Sequence, residues 1–515
     1  MQITAGIKEA AATRPDRVGT FFQARRRTWA EVIDRVARLA GGLRSLGVGP
    51  GDRVAIWTLN SDRYLELYYA LPWVGAVPVP INTRLAPPEV RTILEDSGSG
   101  TLVVDEMSAS LIEATVGATA PRLIYGGDGP VPAGLLSYEK LVRADPIKDA
   151  GAGGEDLYGI FYTGGTTGRA KGVMLSHRNI IANMANARVA MHHADPVYLH
   201  AAPMFHLADL GATFNVTGLV GTHAMIPRFD PAETLRAIAD FRVTGTVLVP
   251  TMINMLLQLP DIDRYDLSSL QFILYGASPM PPAVMQRAFE LLPGIEFMQG
   301  YGMTELSPLA TWLDASYHVL EGPRAGKLRS AGRAIGTAEV VVVDERDQPV
   351  PSGTIGEVVV RGPMVMQGYW KQPELTARTI RNGWMHTGDA GYLDAEGFLF
   401  IVDRVKDMII SGGENIYSVE VEAAIYAHPA VAMCAVVGIP NEQWGEAVHA
   451  VVVPKPGQTV VEDELIEFCR SRIARYKCPR SVSLRTEPLP ISGAGKILKN
   501  ELRAPFWEGY SRRVH

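Results

Sequence analysis

The 515-residue sequence predicts an α/β protein with several subdomains. Predicted strands and helices alternate through most of the chain, which is typical of parallel sheets covered by helices. After about residue 335 the pattern changes to short strands separated by Gly and Pro, which indicates a β-rich subdomain. The length exceeds what one hydrophobic core supports, and suggests roughly three or four domain-sized units.

Composition narrows the class of protein. Apolar residues make up 47% of the chain and charged residues 20%, as in a globular enzyme. The net charge of −6 and the scattered Lys and Arg argue against nucleic acid as a partner. The three cysteines lack metal-binding spacing, so we expect a reducing, cytoplasmic setting. The most apolar segment, Leu67–Ile81, is broken by three prolines and predicts no transmembrane helix.

The first clear helix signal begins at Thr28. Thr28 and Glu31 fit a capping box, in which each side chain accepts a hydrogen bond from the backbone N–H of the other residue. Apolar residues then repeat at helical spacing, and Gly47 suits the left-handed conformation that ends many helices. We therefore predict an amphipathic helix between Thr28 and Gly47 that packs on a sheet.

The later elements follow the same reasoning. Alternating patterns predict, in order, strand Arg53–Thr58, helix Ser61–Leu71, strand Ala76–Ile81, helix Pro87–Ser97, strands Thr246–Val249 and Phe272–Tyr275 with a helix after each, and strands Glu339–Val343, Glu357–Arg361 and Phe398–Val402. The charged run from Asp403 to Asp407 predicts a hinge, and the residues after it form a small α/β unit. Ligands of open α/β sheets bind at such strand-to-helix corners.

The sharpest motif follows the apolar strand Tyr158–Phe161. It reads Tyr162-Thr163-Gly164-Gly165-Thr166-Thr167-Gly168-Arg169-Ala170-Lys171-Gly172. The glycines let backbone N–H groups turn inward, the threonine hydroxyls add donors and Lys171 adds a positive charge, which together predict a polyphosphate site. Gly172 stands where a Walker A loop has the Ser or Thr that holds Mg²⁺, so this loop is of another kind.

This loop resembles the phosphate-binding signature of the adenylate-forming superfamily, which includes acyl-CoA synthetases, peptide-synthetase adenylation domains and luciferases. It departs from the usual T-S-G-T-T-G-x-P-K-G pattern at Gly164 and Ala170. The resulting version is similar to that of some bacterial long-chain fatty-acyl synthetases. The resemblance therefore points to the acyl-CoA synthetase branch and, weakly, to a fatty acid.

Three further segments resemble motifs that hold ATP in this superfamily. They are Gln299-Gly300-Tyr301-Gly302-Met303-Thr304-Glu305, Trp384-Met385-His386-Thr387-Gly388-Asp389 and Gly276-Ala277-Ser278. The resemblance implies that Tyr301 stacks on adenine, that Glu305 holds Mg²⁺, and that Gly276-Ala277-Ser278 lines the adenine. It also implies that Asp389 and Arg404 contact the ribose.

A last motif, Leu489–Lys499, resembles the superfamily segment that carries a catalytic lysine, here Lys496. A lysine offsets the repulsion between an attacking carboxylate and an anionic α-phosphate. The resemblance implies that the C-terminal unit rotates about a hinge at Lys406, after which the Gly412-Gly413 loop lines the tunnel for CoA. His206 matches an aromatic gate beside the acyl pocket, although by itself it fits a buried structural histidine equally well. We place Thr163 with His206 and Lys496 in the catalytic set.

The resemblance implies a large N-terminal domain, residues 1–403, of two helix-covered mixed sheets plus a β-rich subdomain. Residues 404–515 form a small mobile α+β domain, with the hinge near 404–407. The implied activity is that of an AMP-forming ligase that joins a carboxylic acid to CoA, with ATP and Mg²⁺. The resemblance also admits a homodimer.

Several alternatives stay open from the sequence. A medium- or long-chain fatty acid is the favoured substrate, and an aryl acid of the cinnamate or benzoate type is the main rival. A stand-alone adenylation domain that loads a carrier protein, a luciferase-like oxygenase and a silent nucleotide-binding protein are the other classes. Asp209 is the one carboxylate near the pocket segments that could anchor an amino group, so an amino acid substrate is disfavoured.

Overall fold

The computed structural model describes residues 1–116, 121–163, 170–190, 195–404, 407–411, 414–493 and 495–508. It confirms the α/β class and the division into a large N-terminal and a small C-terminal part. The helices of the N-terminal part are Thr4–Thr13, Trp29–Ser45, Asp62–Val74, Pro87–Ser97, Glu106–Ala109, Ile112–Thr115, Tyr138–Leu141, His177–Ala190, Leu207–Gly218, Pro231–Phe241, Pro250–Leu257, Pro282–Leu291 and Pro373–Thr379. The C-terminal helices are Ser418–Tyr426, Glu462–Arg470 and Lys499–Arg503.

A nine-stranded mixed sheet forms the centre of the N-terminal part. Its strands lie in the order Arg333–Ala334, Leu309–Leu313, Glu296–Gly302, Phe272–Gly276, Gly245–Leu248, Val197–His200, Thr222–Met225, Val18–Phe22 and Arg25–Thr28. The neighbours from Glu296–Gly302 to Val18–Phe22 are parallel, so their carboxyl ends meet at one edge. The turn Gly276-Ala277-Ser278 and the motif Gln299–Glu305 follow two neighbouring strands and therefore come together at that edge.

A second helix-covered sheet packs nearby, with strand order Val77–Pro80, Arg53–Trp57, Thr101–Val104, Arg122–Tyr125 and Leu136–Ser137. Every described pairing in it is parallel, so this sheet is purely parallel where we expected a mixed one. A smaller antiparallel sheet joins Gly368–Tyr369, Lys171–Ser176 and Leu157–Thr163. It places both ends of the predicted phosphate loop beside the main sheet.

The β-rich subdomain and the C-terminal part each have a sheet of their own. The first is antiparallel and contains Glu339–Val343, Gly356–Arg361, Ile380–Arg381, Trp384–Leu393 and Leu399–Arg404. The second contains Ile409–Ser411, Glu414–Ile416, Val431–Asn441, Gly445–Pro454 and Ser481–Leu484. The predicted hinge lies between these two sheets.

The local signals of the early chain are confirmed. Thr28 and Glu31 make the capping box from both sides, and the helix Trp29–Ser45 ends just before Gly47, whose φ is +81°. Helix Asp62–Val74 is buried along its whole length and continues past Pro72, so it is three residues longer than predicted at its C-terminus. Gly75, with φ at +84°, ends it.

A buried polar network connects strands Val197–His200 and Thr222–Met225 to helix Leu207–Gly218. His200 Nδ1 lies 2.6 Å from Asp209 Oδ2, and the Tyr198 hydroxyl donates to the other carboxylate oxygen at 3.4 Å. His223 continues the chain to Thr217. The Asp209 side chain is fully buried and bonded to His200, so it is a structural group, in keeping with the expectation that an amino acid substrate is disfavoured. No helix among the described residues combines the length and apolar character needed to cross a bilayer.

Candidate active site

Thr163 and Lys171 lie at the two ends of the predicted phosphate loop. They are directly opposed in register, on the antiparallel strands Leu157–Thr163 and Lys171–Ser176. The two strands thus hold the loop ends together, and Thr163 and Lys171 line the central cleft. Gly164, Gly165, Thr166, Thr167 and Gly168 lie outside the described residues.

Glu305 is the acidic centre of the site. It lies in the 3₁₀ turn Thr304–Leu306 that follows strand Glu296–Gly302, and it is only 5% exposed. Burial raises the pKa of its carboxyl group, while the charges of Lys171 and Lys496 oppose that rise. The Tyr369 hydroxyl donates a hydrogen bond to Glu305 Oε1 at 2.8 Å. The sequence reading missed Tyr369, which lies in the chain far from any motif we identified.

Lys171 and Tyr369 belong to one cluster. Lys171 Nζ lies 5.4 Å from the centroid of the Tyr369 ring, within cation–π range. The Tyr369 backbone is held in turn by strand pairing to Val173, two residues from Lys171. Tyr369 thus connects the lysine of the phosphate loop to the carboxylate of Glu305.

Tyr301, predicted to stack on adenine, and Asp389, predicted to contact the ribose, are hydrogen-bonded to each other. The Tyr301 hydroxyl donates to Asp389 Oδ2 at 2.7 Å, which links the end of the main sheet to the β-rich subdomain. Asp389 and Arg404 are backbone partners on adjacent antiparallel strands. Asp389 and Tyr301 both line the cleft, and a carboxylate with two acceptor oxygens suits recognition of vicinal hydroxyls.

The turn Gly276-Ala277-Ser278 lies at the carboxyl end of strand Phe272–Gly276 and lines the same cleft. Gly276 pairs with Gly300, and a Cβ on Gly276 would lie 2.3 Å from the Gly300 carbonyl oxygen. Ala277 has φ at +69°, a left-handed backbone conformation. Gly302 is equally constrained, since a Cβ there would meet the Pro308 carbonyl oxygen. These close approaches leave no room for a side chain at Gly276 or Gly302, so backbone lines the cleft at these two positions, next to Tyr301.

Lys496 enters the cleft from the C-terminal part. It is half-buried, and its charge acts on both Glu305 and His206. His206 caps helix Leu207–Gly218, with its Nδ1 accepting from the Ala208 N–H at 3.3 Å. Burial and the charge of Lys496 lower the pKa of His206 to about 4, so the ring is neutral near pH 7. With Nδ1 accepting, the neutral ring carries its hydrogen on Nε2.

One continuous cleft of about 2170 Å³ joins these groups. The residues predicted from sequence that line it are Thr163, Lys171, His206, Gly276, Ala277, Ser278, Tyr301, Gly302, Met303, Thr304, Glu305, Asp389 and Lys496. Of the remaining predicted residues, Arg404 is described for its backbone alone, and Lys406, Gly412 and Gly413 lie outside the described residues.

The arrangement fits a nucleoside triphosphate whose metal ion is bound by one protein carboxylate and by the phosphates. Among the described residues no group of three or more His, Cys, Asp or Glu could bind an ion by itself. Mg²⁺ is commonly held by one or two carboxylates together with substrate phosphates, and Glu305 beside Lys171 offers that environment. Glu305 would hold the ion, which when bound neutralises phosphate charge.

The Tyr301–Asp389 bond gives a testable expectation for ATP binding. Tyr301→Phe keeps the ring and removes the hydroxyl that holds Asp389, so we expect KM for ATP to rise about 5-fold with kcat nearly unchanged. Steady-state kinetics at varied ATP measure both constants. Tyr317→Phe, which loses a hydroxyl bonded to Arg333 outside this ribose contact, is the control. A large fall in kcat with unchanged KM would contradict a binding role for the pair.

The described residues bring Thr163 and Lys171, Glu305 and Lys496 into one cleft, as the resemblance to adenylate-forming enzymes predicts. Residues 7–370 match the model of the AMP-binding enzyme family, and residues 420–496 match that of the AMP-binding enzyme C-terminal domain. The chain therefore belongs to the AMP-binding enzyme family.

Relatives and solved structures narrow the activity. The chain is 44% identical to a feruloyl-CoA synthase of an Amycolatopsis species, over 93% of this chain and 94% of that one. It is 37% identical to the long-chain-fatty-acid–CoA ligase FadD13 of Mycobacterium tuberculosis, over 93% of each. The anthranilate CoA ligase AuaEII in complex with anthranoyl-AMP superposes with a TM-score of 0.90 at 26% identity, covering 98% of this chain and 97% of that one. This chain is an AMP-forming acyl-CoA synthetase, which uses ATP, Mg²⁺ and CoA to ligate a carboxylic acid.

Proposed function

We propose that the acid is an aryl carboxylic acid with a polar substituent on its ring, in preference to the fatty acid favoured by the motif pattern. The observation that carries this proposal is the amide of Asn215 in the wall of an otherwise apolar pocket.

In the first half-reaction a carboxylate oxygen of the acid bonds to the α-phosphorus of ATP. The bond from that phosphorus to the bridging oxygen breaks, and pyrophosphate leaves with the electron pair. In the second, the sulfur of the CoA thiolate bonds to the acyl carbon, and the carbon–oxygen bond to AMP breaks. Lys496 stabilises the charge that develops in the first step, and Thr163 and Lys171 hold the phosphates.

We assign these steps to two domains, residues 1–403 and 404–515, with a hinge near 404–407. The N-terminal domain binds acid and ATP through Asp389, Tyr301 and Glu305, and the C-terminal domain delivers Lys496. The Gly412-Gly413 loop would serve the thiol arm of CoA in the second step, and His206 would separate the acyl pocket from it.

The acyl pocket lies between the main sheet and helix Leu207–Gly218. The side chains that face it from the strands are Tyr198, Val247, Phe272, Leu274 and Trp312. The helix presents one face to it, at the spacing i, i+3, i+4, i+7 and i+8, with Ala208, Gly211, Ala212, Asn215 and Val216. The small residues near the start of the helix leave room for a ring beside the reacting carboxylate.

Asn215 lies deep in this pocket. Asn215 comes nine positions after His206, which at 1.5 Å per residue places it about 13.5 Å along the helix from His206. Asn215 is 5% exposed, and its Oδ1 is buried and accepts no hydrogen bond from any residue in the described ranges. The Trp312 Nε1 in the facing wall has no acceptor among those residues either.

Unpaired polar groups in an apolar pocket favour a polar ligand. A buried acceptor without a partner costs about 1–3 kcal/mol, and a substrate hydroxyl or amine removes that cost. A saturated alkyl chain leaves both Asn215 and Trp312 unpaired, so it is rejected relative to a ring that carries a donor. The likeness to the feruloyl-CoA synthase supports this class, because a feruloyl group carries a phenolic hydroxyl.

Asn215→Leu tests the proposal. We expect kcat/KM for 4-hydroxycinnamate to fall about 10-fold, while kcat/KM for cinnamate is unchanged or rises, because leucine restores a dry apolar wall. Pyrophosphate release with each acid, and with decanoate and hexadecanoate, measures the ratio. Thr213→Val on the same helix, which loses only a bond to the Asp209 carbonyl, is the control.

A wild-type preference for hexadecanoate over every aryl acid, unchanged in Asn215→Leu, would contradict the aryl assignment and make a fatty acid the favoured substrate again.

A homodimer and a cytoplasmic location stay predictions. Light scattering of the purified chain with and without ATP tests the first.

A further inference from the structure

The segment that carries Lys496 is a tight hairpin. Ile491 and Ile497 form an antiparallel bridge, the Leu498 N–H donates to the Pro490 carbonyl at 2.8 Å, and the Ser492 N–H donates to the Lys496 carbonyl at 2.7 Å. The Ser492 hydroxyl accepts from the Lys496 N–H at 3.1 Å. These bonds tie Lys496 into one local unit, which we call the lysine hairpin, residues 490–493 and 495–498.

Three residues of the N-terminal domain hold the lysine hairpin in place. Arg84 Nη1 donates to the carbonyls of Ile491, at 3.3 Å, and Ser492, at 3.0 Å. The Thr251 hydroxyl, in the first turn of helix Pro250–Leu257, donates to the Gly495 carbonyl at 2.7 Å. Asn82 Oδ1 accepts from the Arg84 N–H at 3.0 Å, which fixes the turn that aims Arg84.

The fit between the two surfaces is close at two glycines. A Cβ on Gly493 would lie 2.1 Å from Asn82 Oδ1, and a Cβ on Gly495 would lie 2.5 Å from Val249 Cγ2. Gly495 also has φ at +80°, which disfavours other residues. The glycines of the hairpin thus serve its docking as well as its turn.

We propose that Asn82, Arg84 and Thr251 form a receptor for the lysine hairpin that positions Lys496 for adenylation and takes no part in thioester formation. The proposal rests on the assignment of Lys496 to the first half-reaction and adds positioning residues to it. All three protein bonds go to backbone carbonyls of the hairpin, so the receptor recognises its conformation and not its side chains.

The strength of the receptor suits reversible docking. Its bonds are few, and Arg84 is exposed, so water replaces each lost bond at a small net cost. Removing one receptor side chain should therefore shift the population of the docked state about 10-fold without unfolding either domain. Docking that weak can be released in every catalytic cycle.

The test separates the two half-reactions. Arg84→Ala and Thr251→Val are each expected to lower acid-dependent exchange of pyrophosphate into ATP about 10-fold, with conversion of supplied acyl-adenylate and CoA to thioester kept within about 2-fold. Arg91→Ala is the matched control. Arg91 likewise donates to two backbone carbonyls, of Thr115 and Ala114, but these lie within the N-terminal domain.

A paired substitution tests the contact itself. Gly493→Ala introduces a methyl group against Asn82 and should lower exchange at least 10-fold; Asn82→Ala in the same chain removes the opposing atoms and should recover part of the loss. The acyl-adenylate supplied is that of the best acid found in the panel, so an error in the substrate class does not affect the outcome.

Equal losses in both half-reactions for Arg84→Ala and Thr251→Val, with unchanged melting temperatures, would overturn the receptor. Strict additivity of Gly493→Ala and Asn82→Ala would overturn the direct contact. If Lys496→Ala itself spares the exchange reaction, the assignment of Lys496 fails first, and that failure is visible without any receptor variant.

Discussion

Lys496→Ala is expected to lower acid-dependent pyrophosphate exchange on the order of 10²-fold or more, the loss typical of a group that stabilises transition-state charge. The side chain lies at the meeting point of Glu305 and His206, with its charge acting on both. The attacking carboxylate and the phosphates are anionic, so the barrier is largely electrostatic. No other described lysine of the C-terminal domain lines the cleft beside Glu305 and His206, since Lys499 is paired with Glu422 at 2.7 Å.

The same variant should convert a supplied acyl-adenylate to thioester at nearly the wild-type rate. Lys496→Arg keeps the charge and should retain more exchange activity than Lys496→Ala, which separates charge from shape. Lys140→Ala, at an exposed position, is the control for preparation and assay. If both half-reactions fall together in folded Lys496→Ala, the division of labour between two domain positions is wrong.

The elements that sequence predicts well are those fixed by neighbours in the chain. The capping box at Thr28 and the stop at Gly47 depend on hydrogen bonds and φ angles within one helix, and both are confirmed. Helix Pro87–Ser97 begins and ends as predicted, since it has prolines at its start and Gly98 in the left-handed conformation at its end. The prediction ends the helix at Leu71 because proline disfavours a helix interior. The helix continues to Val74, since the burial of all its residues outweighs the cost of Pro72 near its last turn.

The residues of the site likewise fall into those that local sequence predicts and those that only the fold brings to the site. Motifs predict residues of the cleft because each motif is a contiguous segment, and those at Gly276 and Gly302 lie at the carboxyl ends of parallel strands. Motifs could not predict Tyr369 or Asn215. Tyr369 reaches Glu305 from a strand of a separate sheet. Asn215 differs from other helical asparagines only because it lines the pocket. The contact of Arg84 with Ile491 and Ser492, about four hundred positions away in the chain, exists only in the fold.

Glu305→Gln is the second change for which we expect a large effect, a fall in kcat of about 10²-fold together with a higher Mg²⁺ concentration for half-maximal rate. Glutamine keeps the size of the side chain and an oxygen that accepts from the Tyr369 hydroxyl, so it removes the charge while leaving the packing. A titration of Mg²⁺ at fixed ATP measures the shift. Chelation of Mg²⁺ should abolish adenylation in both proteins.

The alternative role for Glu305 is to balance the charges of Lys171 and Lys496 without a metal, and the two roles predict different titrations. A charge-balancing carboxylate would lower kcat in Glu305→Gln but leave the Mg²⁺ dependence equal to that of the wild type. A metal ligand shifts the dependence itself, since glutamine binds Mg²⁺ less well than a carboxylate does. Tyr369→Phe separates the neighbouring hydrogen bond from the charge: it loses the 2.8 Å bond to Glu305 but keeps the carboxylate, so we expect less than about 10-fold loss of kcat and little change in Mg²⁺ dependence. An unchanged Mg²⁺ requirement in a folded Glu305→Gln protein would therefore remove Glu305 from the metal site, and leave the ion to be held by the phosphates.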